Sequence, residues 1–459
     1  MTDNKNIGEI IGFSPEVYKI SPDLYKNYDV KRGLRNLDGS GVLAGLTGIS
    51  EVHGYVVYEG EKTADYGSLS YRGYDIADLA EHCGRNGRFA FEEACYLLLC
   101  GFLPNDTQFS AFLEALKQNR ALPESFTEDM ILKAPSKDIM NKLSRSVLTL
   151  YSYDRNADST TPKNVIRQSI SLIAKMPTLA AYGYWAKAHY FDRKSLILHQ
   201  PQKEYSIAEN ILHMIRENSK FTPEEARILD LALLLHAEHG GGNNSAFTCR
   251  VLTSSGTDTY SAISGAINAL KGPKHGGANL QVVKMMNDIE KHVENLHDEG
   301  EIYSYLGKII KRKAGDRSGL VYGMGHAVYT KSDPRTEILR AQAEYLANKN
   351  GFGEKFELYE TVERLAPKAF AEFKGDKKVI SANVDFYSGF VYSMLDIPNE
   401  LYTPLFAIAR MAGWCSHRLE ELISGGRILR PAYKSICKNG KEFVSMDERK
   451  KLYCEKEEE

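Results

Sequence analysis

The chain has 459 residues, 43% of them hydrophobic and 26% charged, so it can bury a large core and does not have the composition of a disordered protein. Its formal net charge of -2 provides no basic excess for phosphate-backbone binding, and nucleic acid is not expected as a partner. The seven cysteines (Cys83, Cys95, Cys100, Cys249, Cys415, Cys437 and Cys454) are odd in number and form no C-x-x-C pair, which argues for a reducing interior over a disulfide framework or zinc ribbon.

The N-terminal "MTDNKNIGEIIGFSPEVYKI" carries acidic residues early and lacks both a basic n-region and an apolar core. No uninterrupted apolar run reaches membrane-spanning length, so a soluble cytoplasmic protein without a membrane partner is expected. Strand-like pieces at Gly54 to Gly60 and Gly67 to Ile76 predict a hairpin and no central sheet. Helical periodicity dominates elsewhere, as in Ala90 to Leu103, Ser144 to Tyr153, Ser169 to His189 and Glu357 to Leu365, which predicts a mainly α architecture. Two or three domains suit the length; with no fixed-period repeat and no Pro/Ser-rich linker, a second domain must be inserted or tightly packed.

Thr222, Pro223 and Glu225 supply an N-cap, a first-turn proline and a capping-box partner for a helix running through "ARILDLALLLHAEH" to Gly240-Gly241-Gly242. It has almost no polar face, so it should be buried, with His236, Glu238 and His239 where it emerges into a cleft. Thr257 or Asp258 can cap "TYSAISGAINAL", which Gly272-Pro273 ends, and His275 follows just before the helix "GANLQVVKMMNDIEKH". The positive end of that helix should keep His275 neutral and able to donate to a developing enolate oxygen, while Gly276 and Gly277 permit close approach. The competing reading is a histidine in an ordinary turn.

His236 and His239 invite a metal reading, but H-A-E-H is not H-E-x-x-H and two further ligands are missing, so no metal is expected. "VYGMGHAVYTKSDPR", Val321 to Arg335, offers His326 between Gly-rich backbone but lacks the strand-turn-helix context of a dinucleotide fingerprint. In "SANVDFYSGF" Asp385 faces an apolar, aromatic wall that should raise its pKa and make it a better base, unless it merely N-caps a helix starting near Ser388. Thr403-Pro404 opens a helix in which Arg410, among Phe406, Ile408, Ala409 and Met411, calls for an anion such as a carboxylate. Beyond the Gly425-Gly426 stop, "GGRILRPAYKS" adds Arg427 and Arg430, which taken alone are surface cations.

Neutral histidines, a carboxylate in an apolar setting and several arginines together suit condensation of a carbanion with a small polyanion. The order and wording of "GLTGISEVHGYVVYEG…LSYRGYDIADLAEH", "HAEHGGGNNSAFT", "GPKHGGAN", "GMGHAVYTKSDPR", "NVDFYSG", "TPLFAIARMAGW" and "RPAYKS" resemble the citrate synthase family over more than four-fifths of the chain. The resemblance implies an all-α fold with a minor N-terminal β-hairpin, in which residues 1–275 and 396–459 form a large domain and 276–395 an inserted small one, with the active site in the cleft between them.

It further implies that Asp385 deprotonates acetyl-CoA, that His275 stabilises the enol or enolate, and that His326 protonates the ketone oxygen of oxaloacetate. His239, Arg335 and Arg410 would hold the carboxylates of oxaloacetate, and Arg430 would reach in from the other subunit of a homodimer. Leu320, Val321, Tyr322, Gly323, Met324 and Gly325 would meet coenzyme A through their backbone. Coenzyme A thioester enters as substrate, and no tightly bound cofactor is implied. Thr330 departs from the pattern, since many members carry a basic residue there to meet a CoA phosphate; "RPAYKS" and a longer, divergent first forty residues depart as well. The alternatives are 2-methylcitrate synthase with propionyl-CoA, a metallohydrolase on His236, Glu238 and His239, and a noncatalytic helical scaffold.

Overall fold

A computed structural model of the chain describes residues 19–36, 40–58, 61–85, 88–375, 379–424, 426–437, 441–446 and 448–449. The N-terminal stretch to residue 18, Gly60, Gly425, Cys454 and the acidic tail lie outside these residues, as does the side chain of Cys83. Residues 1–427 and 428–459 form two compact units.

In the first unit, β1 (Ser50–Tyr58) and β2 (Glu61–Tyr71) form an antiparallel hairpin that β3 (Tyr74–Asp75) extends. The helices are α1 (Pro22–Asn27), α2 (Ile76–Arg85), α3 (Ala90–Cys100), α4 (Asp106–Asn119), α5 (Ile139–Leu150), α6 (Pro162–Asp192), α7 (Ile207–Ile215) and α8 (Pro223–His236). They continue as α9 (Asn244–Ser254), α10 (Thr259–Lys271), α11 (Ala278–His292), α12 (Glu299–Ile310), α13 (Pro334–Asn350), α14 (Gly353–Lys374), α15 (Val384–Met394) and α16 (Tyr402–Ile423). The mainly helical expectation holds, with one small sheet near the N-terminus among the described residues.

Local chemistry explains the boundaries. The predicted box at Thr222 and Glu225 is present in both directions, satisfying two otherwise orphaned N–H groups at the start of α8, each such cap being worth about 1 kcal/mol. Asp258, not Thr257, caps α10 by accepting from the Ser261 N–H. Helix α3 stops at Cys100, short of the expected Leu103, because Gly101 turns left-handed at φ 89° and closes the helix on the Leu97 carbonyl.

The long core helix is α16, buried almost continuously from Tyr402 to Leu419 and packed against α3, α6, α8, α9 and α10. A helix apolar on every side carries its few polar residues into the interior, and Arg410, His417 and Arg418 are each no more than 1% exposed. Helices α11 and α13 both pack on α15, and α14 packs on α12 and α13. Among the described residues no helix is long and apolar enough to cross a membrane. Arg430 lies in the second unit and is exposed.

Candidate active site

The end of α8, the Gly272 to Gly277 turn, the loop before α13, the start of α15 and the middle of α16 bring their polar side chains into one another's electrostatic reach. His239 and His326 meet edge to face with ring centroids 5.0 Å apart, and His239 Nε2 lies 3.3 Å from the Tyr329 hydroxyl. The Arg410 charge acts on His275, His239 and Asp385, and the Arg335 charge on His239, His326 and Asp385. The structure therefore brings together six of the seven residues expected to do chemistry or hold the polyanion.

The two expected proton donors are both set as neutral imidazoles with a defined tautomer. His326 Nδ1 accepts backbone N–H groups from Val328 (3.0 Å) and Tyr329 (3.1 Å), which leaves its proton on Nε2. His275 Nε2 accepts the Ser245 N–H at 3.3 Å and lies 3.0 Å from the Ser245 hydroxyl, so its proton sits on Nδ1. Trp414 Nε1 holds that hydroxyl in turn, at 3.1 Å. Burial and then Arg410 push His275 down to about 4; burial and then Arg335 do the same to His326. A neutral His275 is what the sequence leads one to expect, and burial together with the Arg410 charge depresses it. Gly276 also serves differently: a Cβ there would lie 2.4 Å from the Leu270 carbonyl oxygen, so the glycine lets the turn close on the end of α10.

Asp385 is the second residue of α15, and it is Asn383 that caps that helix by accepting the Asp385 N–H at 3.0 Å. The reading of Asp385 as a mere N-cap falls. Its Oδ1 is buried without a hydrogen-bond partner, and burial raises the carboxyl to about 6 even though Arg335 and Arg410 work against the shift.

The two arginines differ. Arg410 donates from Nε to the His236 carbonyl at 2.8 Å and lies over the Phe406 ring, while Nη2 is buried with no partner. Arg335 already grips Asp333 in a fork, with Nε to Oδ1 at 3.0 Å and Nη2 to Oδ2 at 2.7 Å. Burial opposes the Arg335 charge, but Asp333 more than restores it and the guanidinium titrates above its ordinary value. Asp333 escaped the sequence reading, although Asp before Pro334 is an N-cap signal that α13 uses.

The sequence offers Glu238 only as a metal ligand, but the structure pairs it with His417. It accepts from His417 Nε2 at 2.8 Å and from Ser50 Oγ at 3.0 Å, and although burial raises it, His417 and Arg410 bring it down to about 2. His236 Nδ1 bonds the Ala232 carbonyl at 2.6 Å, while its Nε2 is buried without a partner.

The loop expected to meet coenzyme A is stitched to the segment ahead of Asp385. Gly325 N–H donates to the Ser381 carbonyl (2.7 Å), Asn383 N–H to the Gly323 carbonyl (2.8 Å) and Asn383 Nδ2 to the Gly325 carbonyl (2.8 Å). Gly323 turns left-handed at φ 77°, and a Cβ there would collide with Phe386 and Val282 at 2.8 Å. Val321 is buried, and Leu320 is exposed.

The family profile described as "Citrate synthase, C-terminal domain" matches residues 36–432. Citrate synthase of Synechocystis is 35% identical over 383 residues, 83% of this chain and 88% of that one; citrate synthase of Haloferax volcanii is 33% identical over 428 residues, 92% and 99%. Among solved structures, citrate synthase of Thermoplasma acidophilum in ternary complex with carboxymethyl coenzyme A and oxaloacetate superposes with a TM-score of 0.74 at 25% identity, covering 92% of this chain and 99% of that one. Citrate synthase of Pyrobaculum aerophilum gives 0.71 at 28% identity, covering 88% and 93%. The fold and these likenesses define a helical enzyme of the transferase type. The chain belongs to the citrate synthase family. These relatives carry the name citrate synthase, which does not favour the 2-methylcitrate alternative.

Proposed function

We propose that the protein condenses acetyl-CoA with oxaloacetate and water to give citrate and CoA. Asp385 takes a proton from the acetyl methyl group while the His275 Nδ1–H donates to the thioester oxygen, giving the enol or enolate. Its carbon attacks the ketone carbon of oxaloacetate, and His326 Nε2–H protonates the oxygen released from the double bond. Water then cleaves the C–S bond of citryl-CoA, and CoA leaves as the thiol. Arg410, Arg335 and His239 hold the oxaloacetate carboxylates, and the backbone from Leu320 to Gly325 meets coenzyme A.

The observation that carries this reading is a buried, partnerless carboxylate oxygen on Asp385 within the field of Arg410, whose own Nη2 is buried and partnerless. A buried cation and a raised carboxyl left open in one site suit a polyanion and a base. A thiol-release assay with acetyl-CoA and oxaloacetate tests it; no release that depends on oxaloacetate would overturn it. The pH profile adds a sharper test. Asp385 must be ionised to act, so kcat/KM should fall as pH drops through about 6, while histidines near 4 add no limb above that point. An acid limb at pH 4 or below would remove Asp385 as the base.

In the same reading, 276–395 is a small domain inserted in a large one made of 1–275 and 396–459, which the packing of α11 and α13 on α15 supports. The enzyme works in the cytoplasm, within the tricarboxylic acid cycle, as a homodimer to whose partner site Arg430 contributes. Arg430→Ala and Asp385→Asn chains, each nearly inactive alone, should regain roughly one quarter of wild-type activity per site after random subunit exchange. Proven hybrids without activity would return Arg430 to its own chain.

A further inference from the structure

The hairpin contains an irregularity where the loop between His326 and Arg335 touches it. His53 pairs with Ser68 and Tyr55 with Ala64, so a single residue of β1, Gly54, stands opposite three of β2, Asp65, Tyr66 and Gly67, and none of these four is in register. Four of their freed backbone groups are taken up by the loop, while the Tyr66 N–H turns to Asp65 Oδ1 at 2.8 Å. The Thr330 hydroxyl accepts the Asp65 N–H at 3.0 Å and lies within bonding distance of the Asp65 carbonyl, at 2.9 Å, and of the Gly54 carbonyl. Lys331 N–H donates to the Asp65 carbonyl at 3.3 Å, and Gly67 N–H donates to the Ser332 hydroxyl at 3.2 Å.

The seat is also shaped to fit. A Cβ on Gly54 would stand 2.7 Å from Tyr329 Cα and 2.8 Å from the Val328 carbonyl oxygen, and one on Gly67 would stand 2.2 Å from the Ser332 carbonyl oxygen. Both glycines lie where two backbones close on each other, and His53 Nε2 braces the bulge from its far side through Asp65 Oδ2 at 2.9 Å. The docked segment starts at the two N–H groups, Val328 and Tyr329, that fix the His326 tautomer, and ends one residue before Asp333, which holds Arg335.

We propose that the hairpin bulge is a docking seat for residues 328–332 and that Thr330 is a positioning residue that latches this segment, holding His326 and Arg335 in place before substrate arrives. This rests on the reading of those two residues as oxaloacetate ligands. At the position where the family resemblance leads one to expect a cation for coenzyme A, this chain has a hydroxyl turned to its own hairpin. The latch acts through oxaloacetate binding, because a loop that must be ordered on binding takes its ordering cost from the affinity.

Two variants attack the latch from opposite sides. Thr330→Val keeps the shape but removes the hydroxyl; Gly54→Ala blocks the seat. In both, the amides of residues 326–333 in the free protein should exchange hydrogen about tenfold faster, and the KM for oxaloacetate should rise about tenfold with kcat within about threefold of wild type, the size expected for one or two net hydrogen bonds. Thr330→Ser should restore both values. Unchanged exchange, an unchanged KM in both variants, or a Ser variant as impaired as Val would each overturn the proposal. Should wild-type protein release no thiol from acetyl-CoA and oxaloacetate, the reading of the site would fall on its own, and the exchange rates would still decide the latch.

Discussion

Replacing Asp385 by Asn should lower kcat by ~10²–10⁴, the range for losing a general base, which corresponds to about 3–5 kcal/mol of transition-state stabilisation. Asn keeps the shape and the place at the second position of α15, where the N–H bond to Asn383 does not depend on the side chain. Because the native carboxyl is raised to about 6 by burial, removing its charge relieves desolvation, and the variant should fold at least as well as wild type. The KM for oxaloacetate should barely move, since Arg410 and Arg335 remain. Near-normal turnover in a folded Asn variant, measured by thiol release, would remove Asp385 from the chemistry.

The second large effect is expected at Arg410. Its fork is held by the His236 carbonyl on one side and by nothing at Nη2, so the free end is the natural partner of a carboxylate in a dry site. Arg410→Lys retains a positive charge near buried Glu238 but loses the planar fork. Truncating one member of a buried, hydrogen-bonded ion pair costs roughly 2–5 kcal/mol, so oxaloacetate affinity should fall by roughly 1.5 to 3.5 orders of magnitude. Saturation kinetics or calorimetry with oxaloacetate decides the point, and a KM within about threefold of wild type would show that Arg410 does not touch the substrate. Arg335 offers a weaker test, because Asp333 already occupies two of its donors and its loss would disturb packing and binding together.

Much of the architecture is local and could be read from the chain. Helical period, the Thr222 capping box and Gly272 after α10 act over four residues or fewer; the box and the glycine stop stand where the sequence puts them, while periodicity alone runs α3 three residues past its end. The motif order also led to the family, and with it to His239, His275, His326, Arg335, Asp385 and Arg410. What chain order could not reveal is which partner each polar group has. Glu238 and His417 are 179 positions apart, Ser245 and His275 thirty, and Thr330 and Gly54 276.

The sequence by itself determined that a histidine would stand before α11, because glycine, proline and cap residues act on their immediate neighbours, whereas the only start it offered for α15, near Ser388, lies four residues beyond Val384, where the helix begins. Only the tertiary structure decided that His275 is neutral through burial and Arg410, that its proton sits on Nδ1, that Arg335 is held by Asp333 and that Thr330 binds the hairpin bulge. Protonation and pairing depend on desolvation and on charges a few ångströms away, and those neighbours arrive from distant segments only when the chain has folded.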